Sequence, residues 1–144
     1  MRFREQIEVT APLAEAFAYT ADFANAQEWD PGIVESKRQG DGPPGVGTVY
    51  DVVAVFRGRR QPFRYEVREY VPNRRVVLVG EGAQATSADT VDFEATATGT
   101  TITYEADLRL KGLRRLAEPV LGRAVAEMGA AALAGLRTKL DARR

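Results

Sequence analysis

The chain has 144 residues, enough for one domain with a hydrophobic core and too few for two comfortable ones. Its 20 basic and 20 acidic side chains cancel, so no net positive field draws it to nucleic acid or to an anionic membrane. Cysteine and histidine are absent, which excludes disulfides, Ser-His-Asp and Cys-His catalysis, and zinc held by either residue. No apolar run reaches the ~18 residues of a membrane span. We expect a single cytoplasmic domain over residues 1–144, with no metal, cofactor or nucleic-acid partner.

The first third of the chain predicts one strand followed by two short helices. Apolar and polar residues alternate over residues 2–10, as they do on a strand with one buried face. Pro12 lies in the first turn of a predicted helix that ends near Ala21. A second short helix leads to the only tryptophan, Trp29, and stops at the turn Pro31-Gly32.

The middle of the chain predicts strands that are joined by hairpins. They are expected at residues 33–38, 48–56, 62–71, 75–79, 86–96 and 101–110. The Gly- and Pro-rich stretch 39–47 reads as a hairpin loop, since a phosphate loop would end in Lys-Ser/Thr and run into a helix. Hairpin connections throughout this part require an antiparallel sheet.

The last part of the chain, from Gly112 to Arg144, predicts one long amphipathic helix. A break or kink is expected at Glu118-Pro119. The Arg-rich end, residues 137–144, is interpreted as a solvated helix end. A helix of this length needs a large apolar surface, so we expect the sheet to wrap around it. The apolar residues that recur at three- and four-residue steps form its predicted buried stripe: Leu113, Leu116, Val120, Ala124, Met128, Ala131, Leu136 and Leu140.

Several short pieces along the chain occur in the same order as in a known family. They are Ile7 to Pro12, Glu28-Trp29-Asp30-Pro31, Gly45-Val46-Gly47-Thr48, Tyr65 to Pro72, Gly99-Thr100-Thr101 and the exit Leu108–Gly112 into the helix. With these pieces the chain resembles the polyketide cyclase/dehydrase-like branch of the START-type, helix-grip superfamily (SRPBCC). The resemblance implies an α+β helix-grip fold, in which a curved antiparallel sheet of about six to seven strands surrounds the C-terminal helix. It also implies an internal cavity for a hydrophobic small molecule, whereas catalysis stays open because the superfamily includes enzymes, carriers and sensors.

Strand parity and helix spacing select the side chains that are expected to face the cavity. An apolar chamber with a few polar groups is what a small-molecule site requires. A purely structural role stays open for Trp29, which can wall a cavity mouth or plug the sheet edge, and for each tyrosine. Small residues on the helix, such as Gly129 and Ala132, can leave space for a ligand or allow close packing. The predicted ligand-binding residues are Trp29, Tyr50, Phe63, Tyr65, Val67, Val91, Phe93, Tyr104 and Met128.

The candidates for acid/base chemistry are Asp89, Glu69 and Tyr104. The strand phase of the two acids points inward, and a carboxyl in an apolar pocket has a raised pKa suited to enolisation. The alternative is that both acids lie at strand ends, where the phase is lost and water reaches them.

Three functions therefore stay open on the sequence alone. The first is binding of a lipophilic or aromatic small molecule, and the second is a polyketide cyclase or dehydratase. The third is a protein-interaction module, which would form a homodimer through Val49, Val53 and Val55 on the outer sheet face.

Overall fold

A computed structural model of the protein describes residues 1–142. The helices are α1 Leu13–Ala21, α2 Ala26–Trp29 and α3 Glu118–Asp141, with 3₁₀ turns at Phe23–Asn25 and Gly112–Ala117. Arg143 and Arg144, where the predicted helix ends, lie outside the described residues. The strands are β1 Arg2–Val9, β2 Ile33–Gln39, β3 Val49–Phe56, β4 Arg59–Val71, β5 Arg75–Gly82, β6 Ala85–Ala95 and β7 Thr100–Leu110.

The described strands form one antiparallel sheet of seven strands in the order β1-β7-β6-β5-β4-β3-β2. Hairpins connect β2 through β7, whereas β1 pairs with β7 and so lies at the edge opposite β2. The connection from β1 to β2 must therefore cross the full width of the sheet, and it contains α1 and α2. The helix-grip fold expected from the sequence is confirmed.

One half of the inner sheet face is filled by α1. Phe17 on this helix packs edge-on against Phe93 of β6 and Tyr70 of β4, with ring centroids 5.1 and 5.2 Å apart. Val67 and Val91 are fully buried in the same core. These contacts belong to the close-packed core of the domain.

A β-bulge in β4 explains one error of the sequence analysis. Val67 pairs with Leu78, but Glu69 pairs with Val77, so two residues of β4 oppose one residue of β5. An extra residue turns the following side chains to the other face. The expectation that Glu69 points inward is therefore wrong: its side chain is 47% exposed and its carboxylate lies 4.0 Å from Arg75.

Only the second half of α3 packs fully into the domain. Its buried residues are Ala132, Leu133, Leu136 and Leu140. Gly135 permits this contact, because a Cβ atom there would overlap the backbone carbonyl oxygen of Trp29. By length and composition only, the stretch Gly112–Asp141 would suffice to cross a membrane. Here its C-terminal half is instead the core helix of the domain.

The predicted buried stripe of the long helix is wrong in its first part. Leu113, Leu116 and Val120 are 86%, 80% and 77% exposed, and Ala131 is exposed as well. Residues 112–117 form a 3₁₀ turn with three residues per turn, so the helical phase is reset where α3 begins. The break expected at Glu118-Pro119 is confirmed, since α3 starts at Glu118 with proline in its first turn.

Candidate functional site

A cavity of about 240 Å³ lies between the inner face of the sheet and the first half of α3. It reaches one end of the sheet, where β3, β5 and β7 finish and where β4 and β6 begin. We call this end of the sheet the mouth end. The side chains that line it are mostly apolar, and they include Phe3, Phe23, Ile33, Ala54, Phe56, Phe63, Ala106, Leu108, Leu110, Leu121, Val125, Met128 and Leu133.

Two glycines of β5 make room for the aromatic wall of this cavity. A Cβ atom on Gly80 would lie 2.5 Å from the ring of Tyr65, and one on Gly82 would lie 2.8 Å from the ring of Phe63. Both rings therefore lie directly over the backbone of β5. A residue larger than glycine at position 80 or 82 would push the ring above it into the cavity. The alternating glycines Gly80 and Gly82 were the available sequence signal for this arrangement, and sequence reasoning missed it.

The polar centre of the cavity is a hydrogen-bonded group on β6 and β7. Asp89 is 5% exposed. Its carboxylate accepts a hydrogen bond of 2.7 Å from the Ser87 hydroxyl and one of 2.6 Å from the Tyr104 hydroxyl. Burial raises the pKa of Asp89, and the two hydroxyl groups oppose that rise. Burial and the neighbouring Asp89 raise the pKa of Tyr104, so the phenol keeps its proton and remains a donor.

A second carboxyl, Asp30, enters the cavity from the end of α2. Its Oδ1 atom accepts a 2.8 Å hydrogen bond from the backbone N–H of Gly32. Burial raises the pKa of Asp30 from 3.8 to about 6, and the charge of Asp89 adds to the rise. This carboxyl therefore changes its charge close to neutral pH. Sequence reasoning missed Asp30 as a site residue, although it belongs to the piece Glu28-Trp29-Asp30-Pro31 that supports the resemblance.

Trp29 and Tyr65 complete the polar surroundings of the two acids. Trp29 is 3% exposed, and its ring meets Tyr104 edge-on with the centroids 6.2 Å apart. The Nε1 atom of Trp29 has no hydrogen-bond partner among residues 1–142. A buried N–H group without a partner costs free energy, and Trp29 is one of the residues that line the cavity. Burial and the charge of Asp89 raise the pKa of Tyr65, which also remains a protonated phenol.

The structure divides the predicted ligand-binding residues into two groups. Tyr50, Val67, Val91 and Phe93 are buried in the core but do not line the cavity. Their inward phase was right, but these positions lie beyond the part of the sheet that the cavity occupies. Their role in binding a ligand stays a prediction, and this cavity gives it no support. The residues that do line the cavity are Trp29, Phe63, Tyr65, Tyr104 and Met128.

The predicted acid/base residues divide in the same way. Asp89 and Tyr104 lie together in the cavity, whereas Glu69 lies on the outer side of the bulge. Within residues 1–142, no group of three or more acidic side chains is placed to hold a metal ion.

Comparison with known proteins identifies the family. The family model described as "Polyketide cyclase / dehydrase and lipid transport" matches residues 1–141. The chain belongs to this family. No curated protein matches it.

Solved structures similar to this family member show the fold at low sequence identity. The protein TTHA0849 from Thermus thermophilus superposes with a TM-score of 0.83 and is 18% identical, with 99% of this chain and 98% of that chain covered. A START superfamily protein from Mycobacterium smegmatis gives a TM-score of 0.71 at 18% identity, covering 98% and 94%. The di-domain ARO/CYC protein StfQ of the steffimycin biosynthetic pathway gives 0.75 at 14% identity, covering 97% of this chain and 50% of StfQ.

Proposed function

We propose that this chain binds a mainly apolar, polyketide- or lipid-like small molecule with at least one polar group in the cavity. The observation that carries this proposal is the set of buried polar groups in a chamber of apolar walls. A purely structural core rarely retains two carboxyls and an unpaired indole N–H, because each costs free energy when buried. A ligand that bonded to these groups would offset that cost.

The size of the cavity limits the ligand. Small-molecule pockets usually measure about 300–1,000 Å³, and this one is about 240 Å³. A cavity of this size suits a compact molecule. A larger molecule would require the first half of α3 to move outward, and this half has no fully buried residue before Ala132.

The chemistry of the lining selects the polar group of the ligand. Trp29 offers a hydrogen-bond donor, whereas Asp30 and Asp89 offer acceptors. No lysine or arginine of the described chain lines the cavity. The amino group of Met1, which also lines the cavity, is already bonded to the Leu108 carbonyl and lies near Asp107 and Glu118. Carbonyl and hydroxyl groups therefore fit, whereas a carboxylate or phosphate would meet the acidic Asp30 and Asp89. We propose neutral aromatic or aliphatic ketones, phenols and alcohols as the ligand class, with the cytoplasm as the location.

The binding proposal can be tested through Trp29, since its emission as the only tryptophan reports on the cavity. Titration with the neutral probe N-phenyl-naphthylamine should quench Trp29 by energy transfer and reach saturation. The variant Ala54→Phe, which fills the cavity, should weaken this binding by about tenfold or more. The matched control Ala88→Phe places the same ring on the exposed face of β6 and should bind normally. Unchanged affinity in Ala54→Phe would refute the proposed site.

Proton-transfer catalysis, as in a polyketide cyclase or dehydratase, is a second candidate. The pKa of Asp30, about 6, favours it because a carboxyl that titrates near neutral pH can both accept and donate a proton. Asp30 or Asp89 would remove a proton next to a ligand carbonyl. Because the hydroxyl proton of Tyr104 is already donated to Asp89, Tyr104 would have to turn from Asp89 to the enolate oxygen, or the unpaired N–H of Trp29 would be its donor.

Exchange of the methyl protons of acetophenone in deuterated water, followed by NMR, tests this step without knowledge of the natural substrate. Asp30→Asn and Asp89→Asn should abolish any exchange above background while the N-phenyl-naphthylamine probe still binds. Glu69→Gln is the control, since that carboxylate lies outside the cavity. Exchange that persists in both aspartate variants would exclude the carboxyls as bases. The homodimer proposed through the outer valines stays a prediction.

A further inference from the structure

An exposed apolar strip lies on the segment that leads into α3. It consists of Leu113, Leu116 and Val120, and the first two belong to the 3₁₀ turn Gly112–Ala117. In a helix with three residues per turn, positions three apart lie above one another, so Leu113 and Leu116 share one edge. Large apolar side chains that are this exposed within one short segment are typical of an interaction surface.

Basic side chains lie on both sides of this strip. Arg114 and Arg115 occupy the two other edges of the 3₁₀ turn, so an arginine flanks the leucine edge on each side. Neither forms an ion pair with any side chain of residues 1–142. An apolar edge between two cationic edges is the pattern of a segment that lies in the headgroup region of a bilayer.

The hairpin between β3 and β4 adds positive charge at the same mouth end. Arg57 and Arg59 are exposed there and lack an acidic partner within the described chain. The acids near this end are already engaged: Glu81 pairs with Lys111 at 2.8 Å, and Asp107 pairs with Arg109 at 3.2 Å. The zero net charge of the chain therefore conceals an excess of free arginines at the mouth end.

The strip lies between two cavity-lining residues along the chain. Leu110, just before the 3₁₀ turn, and Leu121, just after Val120, both line the cavity. A surface that covers the strip would therefore also cover the mouth end. Such continuity fits a lipid bilayer better than a protein partner, because an apolar ligand could pass between the acyl-chain region and the cavity without entering water.

We propose that the mouth end docks peripherally on anionic lipid bilayers, with Leu113, Leu116 and Val120 in the headgroup region and Arg114 and Arg115 on the lipid phosphates. The membrane does not need to be crossed, because α3 remains packed on the sheet through its second half. Docking requires no ligand in the cavity, so it can be tested separately from the proposed binding function.

Sedimentation with phosphatidylcholine vesicles that contain about 30% phosphatidylserine, compared with pure phosphatidylcholine, tests the proposal. The unmodified protein should bind only the anionic vesicles, and salt should weaken the binding. The double variant Arg114→Gln/Arg115→Gln should bind about tenfold more weakly or worse. Its matched control, Arg74→Gln/Lys139→Gln, loses two exposed charges away from the mouth end and should bind normally.

Separate variants test the role of the apolar side chains in docking. Leu113→Ser/Leu116→Ser should lose vesicle binding, whereas Val46→Ser, an exposed valine in the distant loop, should not. The affected residues are exposed, so thermal unfolding should be unchanged in all variants. Failure of the unmodified protein to bind anionic vesicles would overturn the proposal. So would a concentration-dependent mass that Leu113→Ser/Leu116→Ser abolishes, since the strip would then be a contact between two copies.

Discussion

Replacement of Asp30 by asparagine should stabilise the protein at neutral pH and have less effect in acid. Burial raises the pKa of Asp30 from 3.8 to about 6 in the folded chain. The folded state therefore holds this proton more tightly than the unfolded state does. Ionisation of Asp30 lowers the free energy of unfolding, a penalty that is absent below the unfolded pKa and complete above the folded pKa.

The size of this effect follows from the two pKa values. A rise from 3.8 to about 6 corresponds to about 3 kcal/mol of unfolding free energy once the group is fully ionised. Roughly 1 kcal/mol of that penalty is present at about pH 4.5 and nearly all of it at about pH 7.5. An amide at this position keeps the oxygen that accepts the Gly32 N–H and cannot ionise. The stability gained by Asp30→Asn should therefore grow by about 2 kcal/mol across this range.

Urea unfolding of both proteins at about pH 4.5, 6 and 7.5 measures this difference directly. Glu69→Gln, which removes one exposed carboxylate, corrects for the change in net charge. A stability difference between Asp30→Asn and the unmodified protein that does not change with pH would refute the buried, proton-binding state of Asp30. A variant less stable at about pH 7.5 would show that ionised Asp30 makes a favourable interaction that its surroundings do not reveal.

The remaining predictions concern one hydrogen bond and two helix glycines. Tyr104→Phe removes the donor to Asp89 and should cost about 1.5–3 kcal/mol in urea unfolding at neutral pH; a cost near zero would mean that the bond is not formed. Gly122→Ala should raise stability by about 1 kcal/mol, because nothing lies near its Cβ position and alanine favours helix. Gly135→Ala should lower stability despite the same helix propensity, because its Cβ would overlap the Trp29 carbonyl. Equal melting temperatures for the two alanine variants would contradict that close approach.

The fold could be predicted from the sequence because its signals are local and repeated. Alternation along the strands and the three- to four-residue spacing of the last helix depend only on which face of each element is buried. Breaks in helical continuity are also local, and Pro119 marked the start of α3 correctly. Hairpin connections between consecutive strands require an antiparallel sheet. The resemblance to a family then predicted that this sheet surrounds the C-terminal helix.

Errors arose where one residue alters the phase of those that follow. The bulge at Arg68 has no strong sequence signal, and it moved Glu69 from the predicted inner face to the outer one. The 3₁₀ turn before α3 changed the repeat from 3.6 to three residues, and it left Leu113 and Leu116 in solvent. Periodicity assigns faces only within an element of constant geometry, so it fails at both places.

Only part of the candidate site could be predicted from the sequence, and the reason is different. Strand parity identifies which residues face inward, but it does not say whether an inward residue meets a helix or a cavity. Phe93 and Tyr65 share the inward orientation, yet Phe93 packs on Phe17 of α1, whereas Tyr65 lies over Gly80 and lines the cavity. That distinction depends on where α1 ends along the sheet, which is a tertiary contact between distant parts of the chain.

Asp30 supports the proposal that the cavity binds a ligand. A carboxyl at the end of α2 has an easy alternative, because an amide there would keep the Gly32 contact and avoid a penalty of about 3 kcal/mol at neutral pH. The mouth end likewise exposes the apolar side chains of Leu113 and Leu116 to water. Serine at either position would avoid this exposure of apolar surface. Both features oppose stability or solubility. Asp30 lines the cavity, and Leu113 and Leu116 lie along the chain between the cavity-lining residues Leu110 and Leu121. Local choices that conflict with folding are expected to concentrate at functional sites, and this expectation supports both the proposed ligand site at Asp30 and Asp89 and the proposed docking surface at Leu113 and Leu116.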